Sequence, residues 1–85
     1  MKELEEGSRV RVIGGVDRAW TVAEIVCAMS GIPLTSKKPV IGATGTLIIK
    51  HHVGGVNRVE LDDYPSETTR NNTWPFRDEY LEPIE

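Results

Sequence analysis

Two stretches decide the fold: residues 42–50, GATGTLIIK, and residues 58–62, RVELD. In the first, Thr46–Lys50 is rich in β-branched residues and predicts a strand, with Gly45 as a turn or bulge at its entrance. In the second, polar and apolar residues alternate with the period of two that a half-buried strand shows. The connection contains a Gly-Gly pair at 54–55, which suits a hairpin. The two stretches therefore predict an antiparallel hairpin.

Further strands are predicted on both sides of this hairpin. Residues Ser8–Ile13, SRVRVI, alternate in the same way and predict the first strand. After the hairpin, Trp74–Phe76 predicts a short strand, residues 77–80 one turn of 3₁₀ helix, and Leu81–Ile84 a final strand. Pro83 cannot donate a ladder hydrogen bond, so this final strand is expected at a sheet edge.

Between the first two strands the apolar spacing changes to that of a helix. It predicts an α-helix over residues 21–30. Thr21 and Glu24 have the spacing of a capping box, with Trp20 before them as a hydrophobic staple. Gly31 is a natural residue to end the helix. The face expected to pack on the sheet consists of Val22, Ile25, Val26 and Met29.

The order of these segments resembles that of SH3-like β-barrels. That superfamily has a G-x-x-V-x-V strand, a G-x-x-G-T-V strand, a central V-x-F-x-D strand and a closing L-x-x-I strand. The similar segments here are residues 7–12, 42–48, 59–63 and 80–84. The resemblance implies a mainly β fold: a small SH3-like barrel of about five short strands, with one α-helix at about residues 20–31 inserted between strands one and two. KOW modules and the plasmid-borne type II dihydrofolate reductases share this barrel, so the resemblance implies architecture and not function.

Composition limits the class of protein. The 85 residues are 39% apolar and 27% charged, which fits a single domain over residues 1–85. Cys27 is the only cysteine, so no internal disulfide forms, and its expected mid-helix position makes it inert. No apolar run is long enough to span a membrane, and the acidic N-terminus lacks a signal core, so we expect a cytoplasmic protein. The small size and plain composition are typical of genes on phages and other mobile elements.

Charge is distributed unevenly along the chain. Residues 7–58 contain seven basic and two acidic residues, whereas residues 59–85 contain two basic and eight acidic residues. The net charge is −3. Such asymmetry can mark an electrostatic interaction surface. Alternatively, strands from both halves interleave in one small sheet, and their charges mix.

Two sets of residues are candidates for binding a protein ligand. Tyr64 and Trp74 border a polar loop and are the best candidates for an aromatic groove. Glu60, Asp62 and Asp63 form a carboxylate cluster on the central strand that would suit a basic peptide. The alternative is that these carboxylates are simply the solvated outer face of that strand.

Nucleic-acid binding of the KOW type is the first alternative function. Its candidate phosphate contacts are Arg9, Arg11, Lys37, Lys38 and Lys50. Arg9 and Arg11 share one strand face. The acidic net charge and the lack of aromatic residues among these cations count against this alternative.

A subunit of an oligomeric enzyme is the second alternative. The central strand of the type II reductases carries Val-Gln-Ile-Tyr, whereas residues 59–62 here read Val-Glu-Leu-Asp, so that activity is not carried over. His51 and His52 belong to the predicted hairpin connection. Adjacent residues of an extended chain point to opposite faces, so the two cannot readily share a metal and are expected to be solvated. The sequence therefore predicts no catalytic residue, no metal and no cofactor.

The favoured interpretation is a non-catalytic binding or interaction module. Its expected partner is another protein or a second copy of the chain. An apolar helix face on a small barrel favours a homodimer. We expect Trp20, Ile25 or Met29 near that contact, with residues 60–63 left exposed.

Overall fold

The computed structural model describes residues 4–34, 37–65 and 73–84 of the chain. Over these residues it is mainly β, with five antiparallel strands and one α-helix. The helix, α1, follows the first strand, as the sequence predicts. The elements are β1 (Arg9–Val12), α1 (Val16–Ser30), β2 (Thr44–His52), β3 (Val56–Leu61), β4 (Trp74–Phe76) and β5 (Leu81–Pro83), with 3₁₀ turns at Val53–Gly55 and Asp78–Tyr80.

The five strands form one open sheet in the order β4-β3-β2-β1-β5. Each neighbouring pair is antiparallel. Pro75 in β4 and Pro83 in β5 both lie in edge strands, where a missing N–H costs least. The edge position predicted for the last strand is thus confirmed.

Alternation along the strands separates a core face from a solvent face. Val10 and Val12 of β1 and Val59 and Leu61 of β3 are buried, while the residues between them are exposed or half-buried. The sheet contributes further residues to the core, namely Leu47, Trp74, Phe76 and Leu81. The inward direction predicted for the apolar residues of β1 and β3 is therefore correct.

The helix α1 uses a different face from the predicted one. Its buried residues are Ala19, Ala23 and Cys27, each four positions apart. Ile25 and Met29, which the sequence predicts to be buried, are 53% and 84% exposed. Small side chains occupy the buried positions because they let the helix backbone approach the large rings of β4, against which α1 packs. The predicted helix face is wrong.

The helix also begins earlier than the capping pattern predicts. Its N-cap is Gly15, in the left-handed conformation with φ 73°, and no side chain caps it. Thr21 therefore lies inside the helix, where its hydroxyl donates to the carbonyl oxygen of Asp17 at 2.9 Å. The end is as expected: Gly31 has φ 69° and donates its N–H to the carbonyl oxygen of Cys27.

Trp20 belongs to the helix and packs inward instead of preceding it as a staple. Its ring stacks on that of Trp74, with the centroids 6.2 Å apart and the planes at 24°. This offset geometry is favourable for aromatic pairs. The pair joins α1 to β4 and closes the core on that side.

Gly45 is neither a turn nor a bulge at a strand entrance. It lies within β2 and is paired with Val10 on one side and Leu61 on the other. A Cβ atom at this position would overlap the backbone of Glu60 and Leu61. Glycine is therefore required for the close approach of β2 and β3.

Candidate functional site

The basic and acidic strands meet on the solvent face of the sheet. Arg9 of β1 forms a bidentate ion pair with Asp62, with Nη1 donating to Oδ1 at 2.9 Å and Nη2 to Oδ2. The hydroxyl groups of Thr46 and Thr44 also bond to Arg9 and Asp62, at 3.0 and 3.2 Å. The Arg9 hydrogen bonds hold the pKa of Asp62 below its usual range and raise the pKa of Arg9. The carboxylate of Asp62 is thus already paired within the fold.

Other cations of the predicted nucleic-acid set are also close to carboxylates. Arg11 pairs with Glu82 of β5 at 3.7 Å, and Lys38 pairs with Asp17 of α1. This is the mixing of charges that the sequence left open as an alternative. The opposite charges of the two halves of the chain partly cancel on this surface, so the paired cations form no basic face of one sign.

Of the two residues predicted to form an aromatic groove, Trp74 is buried and Tyr64 is partly exposed. Trp74 has 0% exposure, and its indole Nε1 donates to the carbonyl oxygen of Tyr64 at 2.5 Å. Tyr64 is half-buried against the core. Glu60 and Asp63 are exposed. Trp74 is therefore placed in the core, where no ligand can stack on it.

A cavity of about 210 Å³ lies where the first turns of α1 face β3, β4 and the 3₁₀ turn before β5. Of its described lining residues three are arginines, Arg18, Arg58 and Arg77, and none is acidic. The rest of the wall is mainly apolar and includes Val22 and Phe76. We call this cavity the arginine pocket.

Arg58 is the most constrained of the three arginines. It is half-buried on β3, and its Nε and Nη2 donate to the hydroxyl and carbonyl oxygens of Thr73 at 3.0 and 3.1 Å. Burial lowers the pKa of Arg58. Both partners are neutral, so within the described part of the chain no carboxylate balances this half-buried charge.

Arg18 and Arg77 are exposed at the mouth of the pocket. Within residues 4–34, 37–65 and 73–84, the side chain of neither makes a hydrogen bond or an ion pair. They differ in this from Arg9 and Arg11, which both pair with carboxylates. The pocket thus brings together three arginines that form no ion pair with a carboxylate of the described residues.

Tyr80 forms one wall, because its ring lies against the Gly14-Gly15 backbone. A Cβ on Gly15 would lie 2.5 Å from Cδ2 of this ring, and one on Gly14 would lie 2.9 Å from Cδ1. The carbonyl oxygen of Tyr80 also accepts from the N–H of Ile13 at 2.8 Å. The glycine pair therefore fixes the start of α1 against the turn that carries Tyr80.

A polar network holds the adjoining turn. Asp78 accepts from Nδ2 of Asn57 and lies against Nε2 of His51, both at 2.7 Å, and Asn57 Oδ1 accepts from the His51 N–H at 2.9 Å. The Asn57 hydrogen bond, followed by that of His51, lowers the pKa of Asp78. This network fixes the position of Asp78, which follows Arg77 in the chain. His51 is thus bonded to another side chain rather than simply solvated, while the side chain of His52 lies outside the described residues.

Cys27 is buried in α1, in agreement with a structural role. Among the described residues, no group of three or more His, Cys, Asp or Glu side chains is placed to hold a metal ion. In the same part of the chain, no helix has the length and apolar character needed to cross a membrane.

Sequence reasoning did not find the arginine pocket. Its arginines are 40 and 19 residues apart and lie on three different elements, so no local pattern joins them. The only available signal is indirect: once Arg9 and Arg11 of β1 are paired with carboxylates, Arg18, Arg58, Arg70 and Arg77 remain, and nothing in the sequence singles out the three that line one cavity.

Comparisons with known proteins add no relative. The chain matches no protein-family model, and it has no significant match among curated proteins or among solved structures.

Proposed function

We propose that this chain is a non-catalytic interaction module that binds an anionic group of its partner in the arginine pocket. The observation that carries the proposal is that Arg18, Arg58 and Arg77 line one cavity whose described lining has no acidic residue. Arginine clusters recognise phosphate and acidic motifs because guanidinium groups form charge-assisted, often bidentate, hydrogen bonds.

Electrostatics around the pocket support this proposal. Gly15, which is part of the lining, is also the N-cap of α1, so the partial positive charge of the helix start adds to that of the arginines. Low-dielectric walls such as Phe76 and Val22 focus the resulting potential. An anion bound here would also neutralise the half-buried Arg58.

The described lining favours binding over catalysis. Guanidinium groups and apolar side chains make up most of it, together with Tyr80. These groups hold and orient an anion, whereas acid–base catalysis needs a group that titrates near neutral pH.

We propose an SH3-like barrel as the architecture of this module. The meander β2-β3-β4 and the pairing of β1 with both β2 and β5 support it. The register shifts between β2 and β3 and the backbone crowding at Gly45 are features of strands that coil strongly. The helix α1 would then cover the open side between the two edge strands.

We also propose that the module pairs with itself through α1. Ile25 and Met29 lie one helical turn apart on α1 and are both exposed, and Ile32, just after the end of the helix, is exposed as well. Trp20 is excluded from this contact, because it stacks inward on Trp74. A symmetric contact between two copies is the commonest way to cover such a face.

Anion binding is tested with inorganic phosphate as the probe. Amide and arginine Nε–H signals are followed by NMR during a titration at constant ionic strength. We expect saturable shifts at Arg58 and Arg77, and a loss of affinity of about tenfold or more in Arg77→Gln, the scale of one charge-assisted hydrogen bond. Arg77 is suited to this test because it is exposed and has no partner in the described fold.

The matched control is Arg11→Gln, which removes an arginine of similar exposure from the solvent face of the sheet. It should leave phosphate affinity unchanged. Equal losses in the two variants, or shifts that never saturate, would show that phosphate only screens surface charge and would refute the proposal.

A further inference from the structure

We infer that the anionic group held by the arginine pocket is a phosphate monoester in its dianionic form, attached to a compact apolar or aromatic body. This inference rests on the proposed binding function and makes it specific. It follows from three features of the pocket: the number of its charges, the donors that remain free, and the size and nature of its walls.

The charge of the pocket exceeds what a carboxylate can balance. Three arginines line it, and none of its described lining residues is acidic. A carboxylate or a sulfate ester carries one negative charge, whereas a phosphate monoester carries about 1.5 to 2 at pH 7. A dianion is therefore the better match for Arg18, Arg58 and Arg77.

The donors of Arg58 are already oriented. A guanidinium has five N–H donors, and Thr73 uses one on Nε and one on Nη2. Nη1 and the second Nη2 hydrogen are left for a ligand, on a group whose direction is fixed. The guanidinium groups of Arg18 and Arg77 add two further planar sets of N–H donors. This number of donors suits the three terminal oxygens of a phosphate monoester.

The volume of the pocket limits the size of the group attached to the phosphate. Pockets for drug-sized ligands have about 300–1,000 Å³. The arginine pocket, at about 210 Å³, holds one anionic group and a body of side-chain size. Pro75, Phe76 and Tyr80 provide apolar and aromatic wall for that body. A long polyanion is disfavoured by the net charge of −3 and by the carboxylates along the sheet face.

The test compares two aryl esters of similar shape, phenyl phosphate and phenyl sulfate, with the full chain at pH 7.5 and pH 5. The second ionisation of a phosphate ester has a pKa near 6, whereas the sulfate ester keeps one charge throughout. We expect phenyl phosphate to bind about tenfold tighter than phenyl sulfate at pH 7.5, and to lose most of this advantage at pH 5, when it becomes a monoanion.

Phenyl sulfate is also the control for titration of the protein. His51, Asp78 and Glu79 lie beside Arg77 and carry the ionisable groups of the adjoining turn. A change in the charge of these groups acts on both esters in the same direction, so a loss of affinity at pH 5 that is seen with phenyl phosphate and not with phenyl sulfate reports the ionisation of the ligand. Arg77→Lys, which keeps the charge but loses the planar set of N–H donors, should reduce the ratio of the two affinities, and Arg11→Gln should not.

The outcomes separate this inference from the proposed function. If both esters bind saturably with equal affinity at both pH values, the site accepts any anion, and the dianion inference is overturned while the binding function stands. If neither ester nor inorganic phosphate binds saturably, both fail. If phenyl phosphate binds no tighter than inorganic phosphate, the apolar wall has no role, and the inference is again overturned.

Two sources of the same chemistry are distinguished with phenyl phosphate as the reference. A short peptide containing phosphotyrosine and a nucleoside monophosphate are titrated under the same conditions. The one that binds tighter than phenyl phosphate identifies a phosphorylated protein side chain or a nucleotide as the ligand, and either result supports the inference. Weaker binding of both than of inorganic phosphate would overturn it.

Discussion

At the residue scale, the wall of the arginine pocket depends on a glycine. Gly15 has φ 73°, and the ring of Tyr80 occupies the space that its Cβ would need. Gly31 at the other end of α1 has nearly the same φ, 69°, but no atom lies within 4 Å of its Cβ position. Comparing the same substitution at the two glycines therefore distinguishes the cost of backbone strain from the cost of steric overlap.

We expect Gly15→Ala to destabilise the protein more than Gly31→Ala. A left-handed alanine costs about 1–2 kcal/mol at either site. At Gly15 the overlap with Tyr80 adds about 1–3 kcal/mol, the usual cost of overpacking. Urea unfolding measures both free energies of unfolding.

The ring of Tyr80 can be removed to check this cause. In a Tyr80→Ala background, Gly15→Ala and Gly31→Ala should have the same cost, since the overlap is gone. A difference that persists without the ring would show that the extra cost at Gly15 has another origin.

A second prediction at this scale concerns Asp78 and pH. Its pKa is lowered in the folded protein, first by the Asn57 hydrogen bond and then by that of His51. A lowered pKa contributes stability that is present above the unfolded value of about 3.9 and is lost as the pH falls through the folded value. We expect Asp78→Asn to be less stable than the wild type at neutral pH and to lose less stability on acidification.

Thermal unfolding between pH 7 and pH 3 measures this difference. Asp63→Asn is the control for the loss of one negative charge, because Asp63 makes no hydrogen bond or ion pair within the described part of the chain. Parallel stability curves for wild type and Asp78→Asn would contradict the role given to the Asn57 and His51 contacts.

At the scale of elements, α1 packs through alanines instead of its large apolar residues. Ala23 is 2% exposed and Ile25 is 53% exposed. We expect Ala23→Leu to cost about 1–3 kcal/mol through overpacking, and Ile25→Ala to cost less than about 1 kcal/mol. Unfolding should be measured at low protein concentration, so that self-association does not contribute.

The sequence alone predicts the reverse order for this helix. A buried isoleucine truncated to alanine loses about 2–5 kcal/mol. Such a loss for Ile25→Ala in the monomer would mean that α1 is rotated relative to the structure described.

At the scale of the whole molecule, the exposed helix face predicts a homodimer. At about 10 µM, an interface of ordinary size remains associated, so sedimentation should give twice the 9.5 kDa of one chain. Ile25→Lys with Met29→Lys should give the monomer mass, because two buried charges would oppose the contact.

Val40→Lys is the matched control, because Val40 has the same exposure as Ile25, 54% against 53%, but lies outside the helix. It should leave the dimer intact. A wild-type mass of 9.5 kDa would contradict self-association, and dissociation by Val40→Lys would move the contact away from α1.

The sequence by itself determined the strands and the end of the helix. Alternation in Arg9–Val12 and Val56–Leu61 depends only on the period of two, and the left-handed Gly31 depends only on glycine's missing Cβ. Pro83 placed its strand at an edge because proline lacks an N–H. These are local properties, which a local pattern can report.

The tertiary structure alone decided the face of α1, the pairing of charges and the arginine pocket. Both the face of large apolar residues and the face of small residues have helical periodicity. The small residues are buried because the rings of Trp74 and Phe76 fill the space next to the helix. Arg9 is 53 residues from Asp62, and pairs with it because β1 and β3 both flank β2. The arginines of the pocket meet for the same reason: which distant side chains become neighbours depends on how the sheet and helix pack, which is not encoded within any one segment.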